Sequence, residues 1–286
     1  MRIGTLKEIR RYPVKSMDGE LLEQVDLSAG GLPGDRAWAV RDEVRGGIRG
    51  GKKIPQLMQL KARYAASPAA EGSSPAEITL PDGTTVATGH PEINAILSKA
   101  IDHEVSLWPL LPADALDHYR RGAPSHDDME TELRAIFGRT PDEPLPDLSV
   151  FSPEVMEFES PPGTYFDAFP LLFLSQASLA ELSRLAPDSR FDLRRFRPNF
   201  VVGDTGDEPF PERAWCGKRV AIGDAVIEIT IECPRCVMTT HGFDDIPKDP
   251  GIMRTLVKQA GGNLGVYAKI ETPARVRVGD AIELLG

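Results

Sequence analysis

Residues 226–232 alternate strictly: Ile227, Ile229 and Ile231 fall on one side, Glu228, Thr230 and Glu232 on the other. A period of two is the side-chain repeat of a β-strand with one buried face, and a helix does not satisfy it. The strand runs directly into Cys233-Pro234-Arg235-Cys236. Whatever this chain folds into must bury one face of a sheet and deliver two thiols to the end of a strand.

Most of the remaining pattern is strand as well. Residues 78–80 and 84–87 flank Pro81-Asp82-Gly83, and an Asp-Gly pair tolerates the positive φ of a tight hairpin. Strands are expected near 20–27 and 36–42, joined by the turn Gly30-Gly31-Leu32-Pro33-Gly34, and at 171–174, 275–278 and 281–285. Helices are few. One is expected at 91–100, where Ile93, Ile96 and Leu97 share a face. A second starts from Ser175, a good N-cap, with Leu179, Leu182 and Leu185 in line. A third, at 252–260, stops at Gly261-Gly262. With so few helices in the first half, parallel βαβ units are not expected there, and a barrel or sandwich fits better. The expected class is α+β and β-rich.

At 286 residues the chain can form one large domain or two modest ones. Its 43 Asp and Glu against 33 Lys and Arg give a net charge of −10, which argues against nucleic-acid binding, since that affinity comes from neutralising phosphates. The acidity is concentrated at 111–170, with 13 Asp or Glu, 4 Arg, no Lys and nine prolines. This stretch reads as an irregular solvated linker or insertion with at most one short helix near 129–137, and as a candidate acidic docking surface. The N-terminal residues are charged throughout, so neither a signal peptide nor a membrane span is expected. Three cysteines are too few for a disulfide framework, and a cytoplasmic location is the expectation. They are also too few for an iron–sulfur cluster of the ferredoxin kind, so any electrons must come from elsewhere.

The Cys233/Cys236 pair admits several chemistries. A zinc site would need further ligands, with only His241 near in sequence. A thioredoxin-like motif would open a helix, whereas here β-branched Val237, Thr239 and Thr240 follow. Two inert buried thiols are another possibility, and a single thiolate ligand to a redox metal, a soft donor with Arg235 beside it to hold an anion, is the fourth. Other cations occupy positions suited to anion binding: Lys15-Ser16 after Pro13, Arg36 after the glycine-rich turn, and Arg197-Pro198-Asn199 ahead of an apolar run.

Six segments together carry a resemblance: RYPVKS at 11–16, GLPGDRAW at 31–38, FRPNFVV at 196–202, ECPRCVMTT at 232–240, NLGVYAKI at 263–270 and VRVGD at 276–280. In this order they resemble the MOSC superfamily, in the branch with an N-terminal MOSC β-barrel domain that includes the amidoxime-reducing components. The resemblance implies an N-terminal barrel at 1–110, the acidic segment at 111–170 and a MOSC core at 171–286. It implies a molybdenum cofactor, a phosphate-tailed dithiolene whose metal is also bound by Cys236. Lys15, Ser16 and Arg36 would hold its phosphate and pterin end, Ser175, Arg197 and Asn199 would add polar contacts, Pro234 and Arg235 would pack near the metal, and Tyr267 would line the pocket. The superfamily also carries an association with pyridoxal phosphate binding. The implied reaction is reduction of an N-hydroxylated or N-oxide-type small molecule, with a separate iron–sulfur or flavin protein as donor. The alternative is a non-catalytic carrier of the cofactor, or of sulfur on Cys233/Cys236. Met17 stands where many relatives have a cysteine or another small residue, and Pro234 removes one backbone donor.

Overall fold

The computed structural model describes residues 1–206 and 208–285. The chain opens with a long strand, β1 (Arg2–Arg11), and two short ones, β2 (Glu20–Leu22) and β3 (Gln24–Asp26). Then come β4 (Trp38–Asp42), β5 (Ile48–Arg49), β6 (Lys61–Arg63), β7 (Glu77–Thr79), β8 (Thr85–Ala87), helix α1 (Ile93–Ile101) and β9 (Val105–Pro109). Helices α2 (Leu116–Tyr119), α3 (Met129–Phe137) and α4 (Glu154–Glu157) lie in the acidic stretch. The last part holds β10 (Leu171–Ser175), α5 (Gln176–Leu185), β11 (Phe200–Gly203), β12 (Arg219–Ile222) and β13 (Ala225–Pro234). It ends with α6 (Gly251–Ala260), β14 (Asn263–Thr272), β15 (Arg275–Arg277) and β16 (Ala281–Leu284).

Seven strands close into a barrel in the order β11-β10-β14-β13-β12-β16-β1, and β1 pairs back onto β11. Its interior is filled by alternate residues, among them Leu6, Ile9, Phe173, Phe200, Ile227 and Ile229. The first strand of the chain is therefore a stave of the barrel that residues 171–284 otherwise build. The expected tail strands do not form a hairpin with each other: β15 pairs with β3, and β16 lies between β1 and β12. Strands β10 and β11 are parallel, and α5 makes the crossover that a parallel pair requires. The alternation of β13 holds for Ile227 and Ile229 but breaks at Ile231, which is only half-buried. Opposite β14 the register slips between Ile229 and Glu232, and Cys233 beyond the slip is buried again.

The rest of the N-terminal part forms two three-stranded sheets, β5-β4-β9 and β6-β7-β8. Bridges from Val14 to Trp38 and from Asp18 to Lys61 link them through the segment after β1. Both sheets pack with α1 on one core containing Val14, Met17, Leu57, Leu97 and Leu107. The hairpin expected at 78–87 forms, with Thr84 N–H donating to Asp82 and Gly83 at φ 86°.

The acidic stretch departs from expectation. It carries three short helices rather than at most one, and it is not simply solvated, because Tyr119, Phe158 and Tyr165 are buried. Their rings join Ala39 and Ile48 in a separate small core that fastens the stretch to the N-terminal sheets. Among the described residues no helix is long and apolar enough to cross a membrane.

Candidate functional site

Strand β13 ends at Pro234, so the backbone bond that anchors the next residue falls to Arg235, whose N–H donates to Gly262 (2.9 Å). Cys236 follows in extended geometry, and residues 237–240 then form a 3-10 turn with Thr239 N–H donating to the Cys236 carbonyl at 3.2 Å. The result is a thiol held at the barrel rim. Around it a cavity is lined by nine of the ten residues singled out from the sequence: Lys15, Ser16, Arg36, Arg197, Asn199, Pro234, Arg235, Cys236 and Tyr267. Residues from both ends of the chain converge because β1 leads into Lys15 and β11 is entered from Arg197, and these strands are neighbours.

The tenth residue, Ser175, does not reach the cavity. It caps α5, its hydroxyl accepting from Ser178 N–H (3.0 Å) and donating to the buried carboxylate of Glu212 (2.6 Å). A buried acid needs those donors, and the hydroxyl is spent on them. Ser175 lies outside the cavity, while its expected role as N-cap is present.

Three of the seven non-glycine residues with positive φ among the described residues are here: Ser16 (70°), Arg36 (49°) and Arg197 (55°). Each such residue costs on the order of 1–3 kcal/mol, and strain of this kind collects at functional sites. The guanidinium carbons of Arg36 and Arg197 lie 4.9 and 4.1 Å from the ring centre of Tyr12. Arg36 also pairs with the buried Asp35, and Asn199 Nδ2 donates to the same carboxylate at 3.0 Å. Asn199 thus orders the support behind the cations. Arg197 donates one Nη to the Met17 carbonyl, and its other Nη is buried with no partner. Arg235 donates to Cys233 Sγ (3.0 Å) and to the Phe196 carbonyl (2.6 Å), and its Nε is likewise unpartnered. Buried N–H groups of charged side chains without acceptors are rare and costly, and here two of them line one cavity.

Burial pushes the Cys236 thiol up, against the pull of Lys52 and Arg235. Burial lowers Lys15 despite its bond to Asp167 at 2.8 Å. Burial, reinforced by Arg36, brings Arg197 down to about 10. Asp167 would be raised by burial, but Lys15 and Lys52 hold its carboxyl well below the usual range. Tyr267, stacked on Phe169 at 5.2 Å, is raised by burial and by the neighbouring Cys233.

Lys52 and Asp167 escaped the sequence reading. Lys52 arrives on a loop whose glycines permit close approach: Gly51 N–H donates to Ser16 Oγ at 2.8 Å, and a Cβ on Gly50 would come within 2.7 Å of that oxygen. The run Gly50-Gly51-Lys52-Lys53 was the available signal. Arg195 also lines the cavity, but it is spent on the carbonyls of Arg190, Thr239, His241 and Pro247. Among the described residues no three His, Cys, Asp or Glu side chains converge as a metal-ligand cluster, so a four-ligand zinc site at the cysteine pair is not built.

Comparison with known proteins matches residues 3–108 to the MOSC N-terminal beta barrel domain and residues 161–283 to the MOSC domain. The chain belongs to the MOSC superfamily. This MOSC protein is 27% identical to mouse mitochondrial amidoxime-reducing component 1, over 100% of this chain and 83% of that protein. It is 25% identical to bovine mitochondrial amidoxime reducing component 2, over 98% of this chain and 83% of the relative. A shorter match, 33% identical, covers 43% of this chain and 39% of human mitochondrial amidoxime-reducing component 1. The site of this MOSC protein therefore sits where the two matched domains and the acidic stretch meet.

Proposed function

We propose that this chain is a molybdenum-cofactor-dependent reductase of N-hydroxylated or N-oxide-type small molecules, supplied with electrons by a separate iron–sulfur or flavin protein. The observation that carries the reading is the meeting, in one cavity, of the Cys236 thiol with Lys15, Arg36, Arg197 and Arg235, two of which bear buried N–H groups without acceptors. A phosphate-tailed group offers the missing acceptors, and a thiolate suits its soft metal. The residues fit that group. The relatives' name supplies the reaction class.

When bound, the cofactor supplies a two-electron donor that takes up oxygen, for the overall change R–NHOH + 2 e⁻ + 2 H⁺ → R–NH₂ + H₂O. The protein's own part is binding and electrostatics. Arg36 and Arg197, braced on Tyr12, would hold the anionic end, while Lys15, whose three donors go to Ser160, the Tyr165 carbonyl and Asp167, would add its charge. Cys236 would be the metal ligand, and the ammonium of Lys52 favours its thiolate against the cost of burial. The Tyr267 and Phe169 rings wall the site. The sulfur-carrier alternative has a poorer thiol in Cys233, which is buried and held by Arg235. All three cysteines are unpaired, which suits a reducing compartment.

Metal analysis of the purified protein tests the reading, together with turnover of a simple hydroxylamine by reduced viologen. Wild type and Cys216→Ser are expected to retain molybdenum and activity, whereas Cys236→Ser loses both, since a hydroxyl is a harder and far less acidic ligand. Loss in Cys233→Ser with retention in Cys236→Ser would reverse the ligand assignment. Wild type without molybdenum sinks the proposal.

A further inference from the structure

A second cavity, of about 320 Å³, opens on the other side of Cys236 and shares Asp167, Pro234 and Tyr267 with the first. Its volume falls within the range of small-molecule sites. The acidic stretch builds most of it. Leu133, Ile136 and Phe137 come from α3, and Leu148, Phe151 and Val155 from the segment leading into and through α4. These side chains are neither core nor surface. Leu133, Ile136, Phe137 and Phe151 are half-buried, and Met129 and Met156 at the rim are 58% and 49% exposed. An apolar lining left open, with flexible methionines at its edge, is what a site for an apolar ligand requires.

The inner end is basic. Arg49, Lys52, Lys53 and Arg121 line it, against Glu132, Glu159 and Asp167. Each carboxylate is already ion-paired: Glu132 with Lys53, Glu159 with Arg121, and Asp167 with Lys15 at 2.8 Å and Lys52 at 3.4 Å. Arg49 makes no ion pair among the described residues; one Nη donates to the Ala123 carbonyl and its Nε is buried without a partner. A cationic head would meet a surplus of positive charge here, and an uncharged or anionic head would not.

From this geometry we infer that the acidic stretch forms the substrate pocket. The pocket selects N-hydroxylated compounds with an apolar body and a neutral or acidic head, such as acyl hydroxamic acids, over compounds with a cationic head. This rests on the reductase reading for the reaction but not for the binding. The apolar body lies along α3 and Phe151, and the head points toward Cys236.

Calorimetry on the full chain, with and without bound molybdenum, tests it using octanamide, hexanamide, octanoate and octylammonium as non-reducible probes. Each buried methylene is worth roughly 0.8 kcal/mol, about fourfold, so hexanamide should bind on the order of 15-fold more weakly than octanamide. Octanoate should match or exceed octanamide, and octylammonium should bind at least about tenfold more weakly than octanamide. Two substitutions of half-buried lining residues, Phe151→Ser and Ile136→Trp, should each weaken octanamide by about tenfold, one by removing apolar contact and one by filling the space. Affinity independent of chain length, insensitive to both substitutions, or equal for octylammonium overturns the pocket. Turnover of unsubstituted hydroxylamine reports the reductase reading separately, so failure there with binding intact removes the reaction and leaves the pocket.

Discussion

Arg197 stands in the left-handed region, its guanidinium buried against Tyr12 with one Nη lacking an acceptor. Burial and Arg36 hold it near a pKa of about 10, so the charge costs the ligand-free fold free energy. Replacing even a buried ion pair by apolar side chains of similar volume is often neutral or stabilising by about 1–4 kcal/mol, and Arg197 makes no ion pair among the described residues to offset its burial. Arg197→Met loses the donor to Met17, so a gain of about 1 kcal/mol is expected in denaturant unfolding of the cofactor-free protein, with molybdenum content falling sharply. Lower stability with full metal content would mean that Arg197 is structural. This strain leaves no trace in the sequence, because an L-residue at positive φ carries no compositional mark when glycine is not used. Arg36, Arg197 and Ser16 were found through their motifs, whereas Lys52 and Asp167 stood outside every motif considered and reach the site only through loop packing. For Lys52 the run Gly50-Gly51-Lys52-Lys53 is the one mark in the sequence, and Asp167 has none.

Ser175 separates local from distant function at the level of elements. Its neighbours dictate a cap: the run 171–174 is a strand, and the leucines after it recur at helical spacing. That much was legible, and α5 begins where the cap predicts. The buried partner Glu212, 37 positions away, was not, since only the closed barrel brings the 3-10 turn at 211–215 beneath α5. Ser175→Ala removes both the cap and a donor to a buried carboxylate, so a loss of about 1–3 kcal/mol is expected in denaturant unfolding. Molybdenum content should remain at the wild-type level, because the residue lies outside the cavity. Stability unchanged with metal lost would restore Ser175 to the site. The β13 bulge teaches a related limit. Strict alternation predicted Ile231 beside Ile229, yet an extra residue in the pairing is invisible in one strand's sequence and depends on β14.

Across the whole molecule, β1 closes the barrel, so the site is complete only when both ends of the chain are in place. The strand content was legible from alternation, but which strands pair was not: that is a long-range property, and the β16-β1 pairing joins positions more than 200 residues apart. Part of the charge of the acidic stretch is met by ion pairs. Glu130, Glu143 and Glu157 pair with Arg134, Arg254 and Arg120, in addition to the pairs inside the second cavity. Neutralised carboxylates steer partners weakly, so electron transfer from an added carrier should depend only weakly on ionic strength, and a steep loss of rate with salt would return this stretch to the role of docking surface. The source of electrons follows from the same layout. Cys236 is committed to the cavity, Cys233 is buried beside Arg235, and Cys216 packs against the barrel core, so they do not gather into a cluster site. The sequence also lacks a G-x-G-x-x-G turn between a strand and a helix, as a dinucleotide fold of that kind would need. The purified chain should therefore leave substrate unchanged with NADH or NADPH alone and turn it over with reduced viologen, or when a reductase and a small electron carrier are added. Steady-state assays with each donor decide the matter. Efficient turnover from NADH by the chain alone would refute the separate donor.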